Sequence, residues 1–317
     1  MRRPDFPYQT STRGPGFINA PPERAGAPYA VAGIAWDGST TNRPGARLGP
    51  YAIRRASQML CDATHPLWDV SPAGQLFDVG DLPLPNTSLE RMRQALREQA
   101  APLIAQQHMV WLGGDHSITL SLLQAYREHH GRPLALLHFD AHCDTWSDHF
   151  GEPSGHGTWL YEAVEAGLVD PKQVVQVGIR SPSDRETREY IADRGGLVLP
   201  ARALRGLESA AQLAPVIERM RPHLSAGAPL YLTLDIDALD PSHAPGTGTP
   251  EPAGLTSQQL ATLLEELADL PFIGMDMVEV SPPFDHAELT SQVAAMLVWT
   301  YLSGRVAGDG RRVASLR

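Results

Sequence analysis

Three short segments carry the side chains best suited to chemistry: Gly113-Gly114-Asp115-His116, Asp140-Ala141-His142-Cys143-Asp144 and Asp235-Ile236-Asp237. Between them His116, Asp140, His142, Asp144, Asp235 and Asp237 offer four carboxylates and two imidazoles. One divalent cation cannot use that many ligands, whereas two cations that share bridging carboxylates can. An isolated Asp-x-Asp or Asp-x-His pair is commonly a helix cap or a turn. Three such segments in one chain, each directly after an apolar run, point instead to a two-metal hydrolase site.

These side chains have to be positioned by strand ends. The runs that precede them are Met109-Val110-Trp111-Leu112, Leu134-Ala135-Leu136-Leu137 and Leu230-Tyr231-Leu232-Thr233-Leu234. Runs apolar on both faces suit buried strands of a parallel sheet. Side chains two apart on a strand share a face, so Asp140, His142 and Asp144 project together, as do Asp235 and Asp237. Cys143 falls on the opposite face and reads as a small core residue. Further strands are expected at Val31–Ala35, Val174–Ile179, Leu197–Leu199 and Phe272–Val280. Helices are expected near 51–59, 88–106, 117–129, 183–194, 209–224, 256–269 and 286–304, with Thr256 and Gln259 forming a capping box. This alternation predicts an α/β fold, a mainly parallel sheet covered by helices on both faces. In such sheets ligands bind at the carboxyl ends of the strands. Residues 1–28, rich in Pro, Gly and polar residues, read as an extended arm on the body or on a neighbouring subunit. Residues 29–317 read as a single catalytic domain.

Composition narrows the function. A hydrophobic content of 42% suits a soluble globular protein, and a formal charge of −10 argues against nucleic acid. Part of that charge belongs to the proposed ligands, and acidic surface near a cleft attracts cationic substrates. Cys61 and Cys143 are the only cysteines, which implies no disulfide framework and a reducing compartment. The start of the chain lacks the apolar core of a signal peptide. The longest apolar stretch, Ala294–Leu302, is interrupted by Thr300 and is far short of a membrane span. A cytoplasmic location is expected.

The segments together resemble the three signatures of the ureohydrolases, the family of arginase, agmatinase and their relatives. The resemblance extends through Ala244-Pro245-Gly246-Thr247-Gly248-Thr249-Pro250-Glu251, Met275-Asp276-Met277-Val278-Glu279-Val280-Ser281-Pro282, His156-Gly157-Thr158 and the loop from Arg43 to Pro50. It covers residue 30 to the end, and agmatinase is the member most similar in appearance. It implies a three-layer α/β/α fold with about eight strands and a homo-oligomer, trimer or hexamer. It also implies a two-Mn²⁺ enzyme that hydrolyses a guanidino compound to an amine and urea. Nickel, cobalt or zinc remain open from the residues alone. By motif position, His116 and Asp144 would bind one ion, His142 and Asp237 the other, with Asp140 and Asp235 shared. The same resemblance implies that Asp144 handles the proton of the attacking water. His156 would shuttle a proton to the leaving amine, and Glu279 would pair with the guanidinium.

His156 next to Gly157 could be an ordinary loop histidine, but its motif context favours a role. Glu279 on a buried strand is costly without a partner, which favours a functional one. His138 and Asp276 are assigned to support, Arg43 and Arg47 to loop positioning, and Trp36, Trp146 and Trp159 to packing. His149, His243 and His286 are placed on loops or at a helix start. The stretch from Thr145 to Gly155 lacks the Asn that arginases use for an amino acid end. It also lacks Lys and Arg, which a guanidino acid such as 4-guanidinobutyrate would favour, while Asp148 and Glu152 offer charge to a cationic tail. Agmatine is therefore the expected substrate. A guanidinobutyrase, a metal-dependent deacetylase and a noncatalytic partner subunit are the alternatives.

Overall fold

The computed structural model describes residues 15–314. Eight strands run in chain order: β1 (Tyr29–Gly33), β2 (Leu76–Asp81), β3 (His108–Leu112), β4 (Leu134–Phe139), β5 (Val169–Ile179), β6 (Leu197–Pro200), β7 (Leu230–Asp235) and β8 (Phe272–Val278). They form one sheet of order β2-β1-β3-β8-β7-β4-β5-β6, and every neighbouring pair is parallel. The helices are α1 (Gly49–Ala56), α2 (Leu89–Ile104), α3 (Ile118–His130), α4 (Trp159–Glu165), α5 (Arg185–Glu189), α6 (Ala210–Leu224), α7 (Ser257–Glu266) and α8 (Leu289–Ala314).

The strands are apolar on both faces because both faces are covered. Alternate residues divide between two cores. Val110, Leu112, Ala135, Leu137 and Phe139 join side chains of α1, α6, α7 and α8. Met109, Trp111, Leu134 and Leu136 join side chains of α2, α3 and α4 on the other side. The sheet thus separates two helical layers, the three-layer arrangement expected.

Some boundaries differ from expectation. Strand β1 starts at Tyr29 rather than Val31, and the segment 183–194 is broken into α5 and a 3₁₀ turn at Ala192–Arg194. Asp184 starts α5 by accepting from Thr187 N. Helix α8 begins at Leu289, not 286, because Asp285 accepts from the amides of Thr290 and Ser291 and fixes the entry. Two elements lie outside the expected set, α4 and β2. Strand β2 carries Asp78 and Asp81, and buried Arg54 of α1 pairs with both of them. That pairing allows charged residues to occupy an edge strand. The Thr256–Gln259 capping box is present as expected, and a second one forms at Ser209–Gln212.

Of the N-terminal arm, residues 1–14 lie outside the described residues. Residues 15–28 lie on the body, with Phe17 buried and its amide donating to Asp78 Oδ2. Among the described residues no helix is long and apolar enough to cross a membrane.

Candidate metal centre and active site

Every candidate ligand stands at the carboxyl end of one of the four adjacent central strands, β3, β8, β7 and β4. Phe139 sits opposite Leu234, so the next residues, Asp140 and Asp235, stand side by side. Leu112 sits opposite Met277, which brings the Gly113–His116 turn level with Glu279. The turn needs glycine: a Cβ on Gly114 would lie 1.6 Å from Trp36 O. A second close approach occurs beside Asp140, where Gly178 has φ +107 and an added Cβ would lie 2.7 Å from Asp140 O.

Two groups of ligand atoms result. His116 Nδ1 is 3.1 Å from Asp140 Oδ2, 3.1 Å from Asp144 Oδ2 and 3.2 Å from Asp235 Oδ2. None of these contacts has hydrogen-bond geometry, and buried Nδ1 has no hydrogen-bond partner at all. The second group joins His142 Nδ1 to Asp237 Oδ2 at 3.1 Å and to Asp140 Oδ1 at 3.3 Å. Asp140 therefore contributes one oxygen to each group.

Electrostatics show what this arrangement needs. Burial and the nearby Asp237 and Asp140 carboxylates push Asp235 well above the usual carboxylate range. Burial works against a charged His116, yet Asp140, Asp144 and Asp235 pull it well above its ordinary value. Buried carboxylates that raise each other and attract protons onto imidazoles lack positive charge. Their oxygen-rich set with two ring nitrogens fits divalent cations. The unpartnered Nδ1 among three carboxylate oxygens is where one would sit.

Surrounding groups fix the ligands. Trp159 Nε1 donates to Asp144 Oδ2 at 2.6 Å, and its ring tilts against His116 at 4.7 Å. His138 Nε2 is 2.8 Å from Asp140 Oδ2. Arg180 donates to the carbonyls of Asp237, Ala238, Leu239 and Glu251, which pins the loop after β7. Asp144 and Glu279 both adopt left-handed backbone, φ 52 and φ 62. Such conformations cost energy in non-glycine residues and gather at functional sites.

Glu279 N donates to Gly114 O. Its Oε1 accepts from His116 N at 2.8 Å and pairs with His156 Nδ1 at 2.8 Å, while buried Oε2 has no partner. On the other side of the ring, His156 Nε2 meets Thr41 N at 3.2 Å and Thr41 Oγ1 at 2.8 Å. Burial opposes a charge on His156, but Glu279 outweighs it and the ring is pushed up to about 9.

A cavity of about 340 Å³ opens onto the candidate ligands and His156, lined by His116, His142, Asp144, Asp235 and His156, with buried Glu279 outside the lining. Its outer wall is Thr41, Trp146, Asp148, His149, Phe150, Ser181 and Thr249. Of the two acidic residues expected to read a tail, Asp148 is on this wall and Glu152 is not. Glu152 lines a separate surface hollow with Arg93 and Glu162, because the turn that pairs its backbone with His149 carries it outward. Trp146 and His149, expected in packing and in a loop, are cavity residues, and Trp159 also holds a ligand. Thr41 was not anticipated; it lies just ahead of the Arg43-to-Pro50 loop, but a lone threonine there carries no chemical signal.

The family model described as the arginase family matches residues 27–303. A protein named agmatinase from Chromobacterium violaceum is 43% identical over 274 residues, 85% of this chain and 81% of that one. Among solved structures, proclavaminate amidino hydrolase from Streptomyces clavuligerus matches with a TM-score of 0.85 and 33% identity. That match covers 94% of this chain and 99% of that one. A hypothetical agmatinase from Burkholderia thailandensis gives 0.83 and 38%, covering 94% and 91%. With the sheet, the paired ligand groups and these matches over nearly its whole length, the chain belongs to the arginase family.

Proposed function

We propose that this chain hydrolyses agmatine to putrescine and urea with the aid of two divalent ions, manganese before nickel or cobalt. The observation that carries the reading is the pair of ligand groups joined through Asp140, set beside a buried glutamate with one idle oxygen. His116, Asp140, Asp144 and Asp235 would hold one ion, and His142, Asp140, Asp235 and Asp237 the other. When bound, the ions supply hydroxide at neutral pH and neutralise the carboxylates.

The chain's own residues do the rest. A guanidinium carbon is resonance-stabilised, so position matters as much as activation. Glu279 Oε2 is free to accept a charge-assisted hydrogen bond from the guanidinium and to fix its orientation. Asp144 takes the proton that the attacking water gives up. His156, raised by the adjoining Glu279 carboxylate, is placed to hand a proton to the departing nitrogen. Asp148 at the cavity wall favours an ammonium tail over a carboxylate tail; Glu152, outside the cavity, drops out of that role.

The family resemblance supports a homo-oligomer, and the two free cysteines support a cytoplasmic setting. The test is a comparison of kcat/KM for agmatine, arginine, 4-guanidinobutyrate and guanidine with Mn²⁺ present. Agmatine should lead. If 4-guanidinobutyrate leads, the reading of the tail is wrong although urea is still released; if none releases urea, the activity itself is wrong.

A further inference from the structure

Behind His116, on the side away from the carboxylates, lies a closed chain of hydrogen bonds with a definite direction. Asp276 Oδ2 accepts from Thr119 Oγ1 at 2.9 Å and from Tyr231 OH at 3.0 Å, and Oδ1 accepts from Thr233 Oγ1 at 2.6 Å. Thr233 Oγ1 also lies 2.8 Å from His116 Nε2. His116, Thr119, Thr233 and Asp276 are all at most 1% exposed, so this chain is shielded from bulk solvent. A threonine hydroxyl has one proton, and Thr233 gives it to Asp276. Towards His116 it has only a lone pair left, so Nε2 must carry a proton. A ring that binds a metal is neutral and has a single N–H. Its bare nitrogen is then Nδ1, the unpartnered atom among three carboxylate oxygens.

The neighbouring imidazole is set the opposite way. Gln176 Nε2 donates to His138 Nδ1 at 3.1 Å and to Cys143 O at 2.8 Å. The His138 proton therefore sits on Nε2, which donates to Asp140 Oδ2 at 2.8 Å. Two histidines approach the same carboxylate, one with its lone pair free and one with its N–H engaged.

We propose that Thr233 and Asp276 are positioning residues that lock His116 into the Nε2–H tautomer and so aim its Nδ1 lone pair at the metal position. The ring is held in place, so that once an ion displaces the Nδ1 proton the lone pair already faces the metal position. Outer hydrogen bonds of this kind tune metal affinity roughly 10–100-fold.

The inference rests on His116 being a metal ligand, and the test separates the two. Mn²⁺ binding to the full-length chain is measured by calorimetry for the unaltered protein, Thr233→Val and Thr233→Ser. Valine has nearly the same volume and suits a buried strand, but it has no hydroxyl. Thr233→Val should weaken the affinity of one site about 10–100-fold, and its melting temperature in chelator should also fall because Asp276 Oδ1 loses its donor. Thr233→Ser should restore most of the loss. In ¹⁵N-histidine spectra of the Zn²⁺-loaded protein, His116 should carry its proton on Nε2. Normal Mn²⁺ affinity in Thr233→Val, equal loss in Thr233→Ser, or a proton on Nδ1 would each overturn the proposal. If the unaltered chain binds no Mn²⁺, it is the ligand reading that fails.

Discussion

Glu279 is the residue whose geometry makes the sharpest demand, since one carboxylate oxygen is committed to His116 N and His156 while the other is buried without a partner. Glu279→Gln keeps the size and loses the charge. The expected outcome is a fall in kcat/KM of about 100-fold or more, the scale of a lost charge-assisted contact in the transition state. Metal content measured by emission spectroscopy should not change. The same substitution removes the charge that raises His156. In metal-free protein its ring should titrate back toward 6.5 instead of near 9, read by histidine NMR. The sign also holds for stability. A raised His156 stabilises the metal-free fold below 6.5, and that contribution is lost as pH climbs through about 9. At this scale the candidate ligands that the structure brings together were legible in the sequence, because metal-binding types at strand ends are rare by chance. The sequence was silent on Thr41 and read Trp159 only as packing; their further roles exist only once distant segments meet.

At the scale of elements, the turn after β3 and the cap of α7 give contrasting predictions. Gly114→Ala forces a Cβ to within 1.6 Å of Trp36 O, so the backbone carrying Asp115 and His116 must move. A loss of about 3 kcal/mol in urea unfolding is expected from such overpacking, together with weakened metal binding. Thr256→Ala removes a capping-box side chain that contacts Gln259 and Glu208 and no candidate ligand, and should cost about 1 kcal/mol with metal binding intact. Equal effects of the two on metal would break the link between turn and site. The strong strands and long helices were readable because both faces of the sheet are buried and periodicity is plain. The misread elements share a physical cause, in that tertiary partners override local pattern. Arg54 lets Asp78 and Asp81 sit in a strand, and α4 is only seven residues long, too short to show a helical stripe.

For the molecule as a whole, the four central strands act as a rigid frame whose ends hold like charges in close contact. That crowding is unfavourable unless cations compensate it, so folding and metal binding should be coupled. Chelator should lower the melting temperature, and saturating Mn²⁺ at 100 times its dissociation constant should add about 2.7 kcal/mol of stability for each site. The fold class was legible from alternation of strands and helices alone. The chemical identity of the substrate tail was less so, because Glu152 faces away and the wall is completed by Trp146, His149 and Phe150. The most direct test of the central claim is urea and putrescine released from agmatine, measured against Mn²⁺ bound per chain. Activity should rise until two equivalents are bound, with one urea formed for each putrescine. Full activity at one equivalent, or no urea at two, would contradict it.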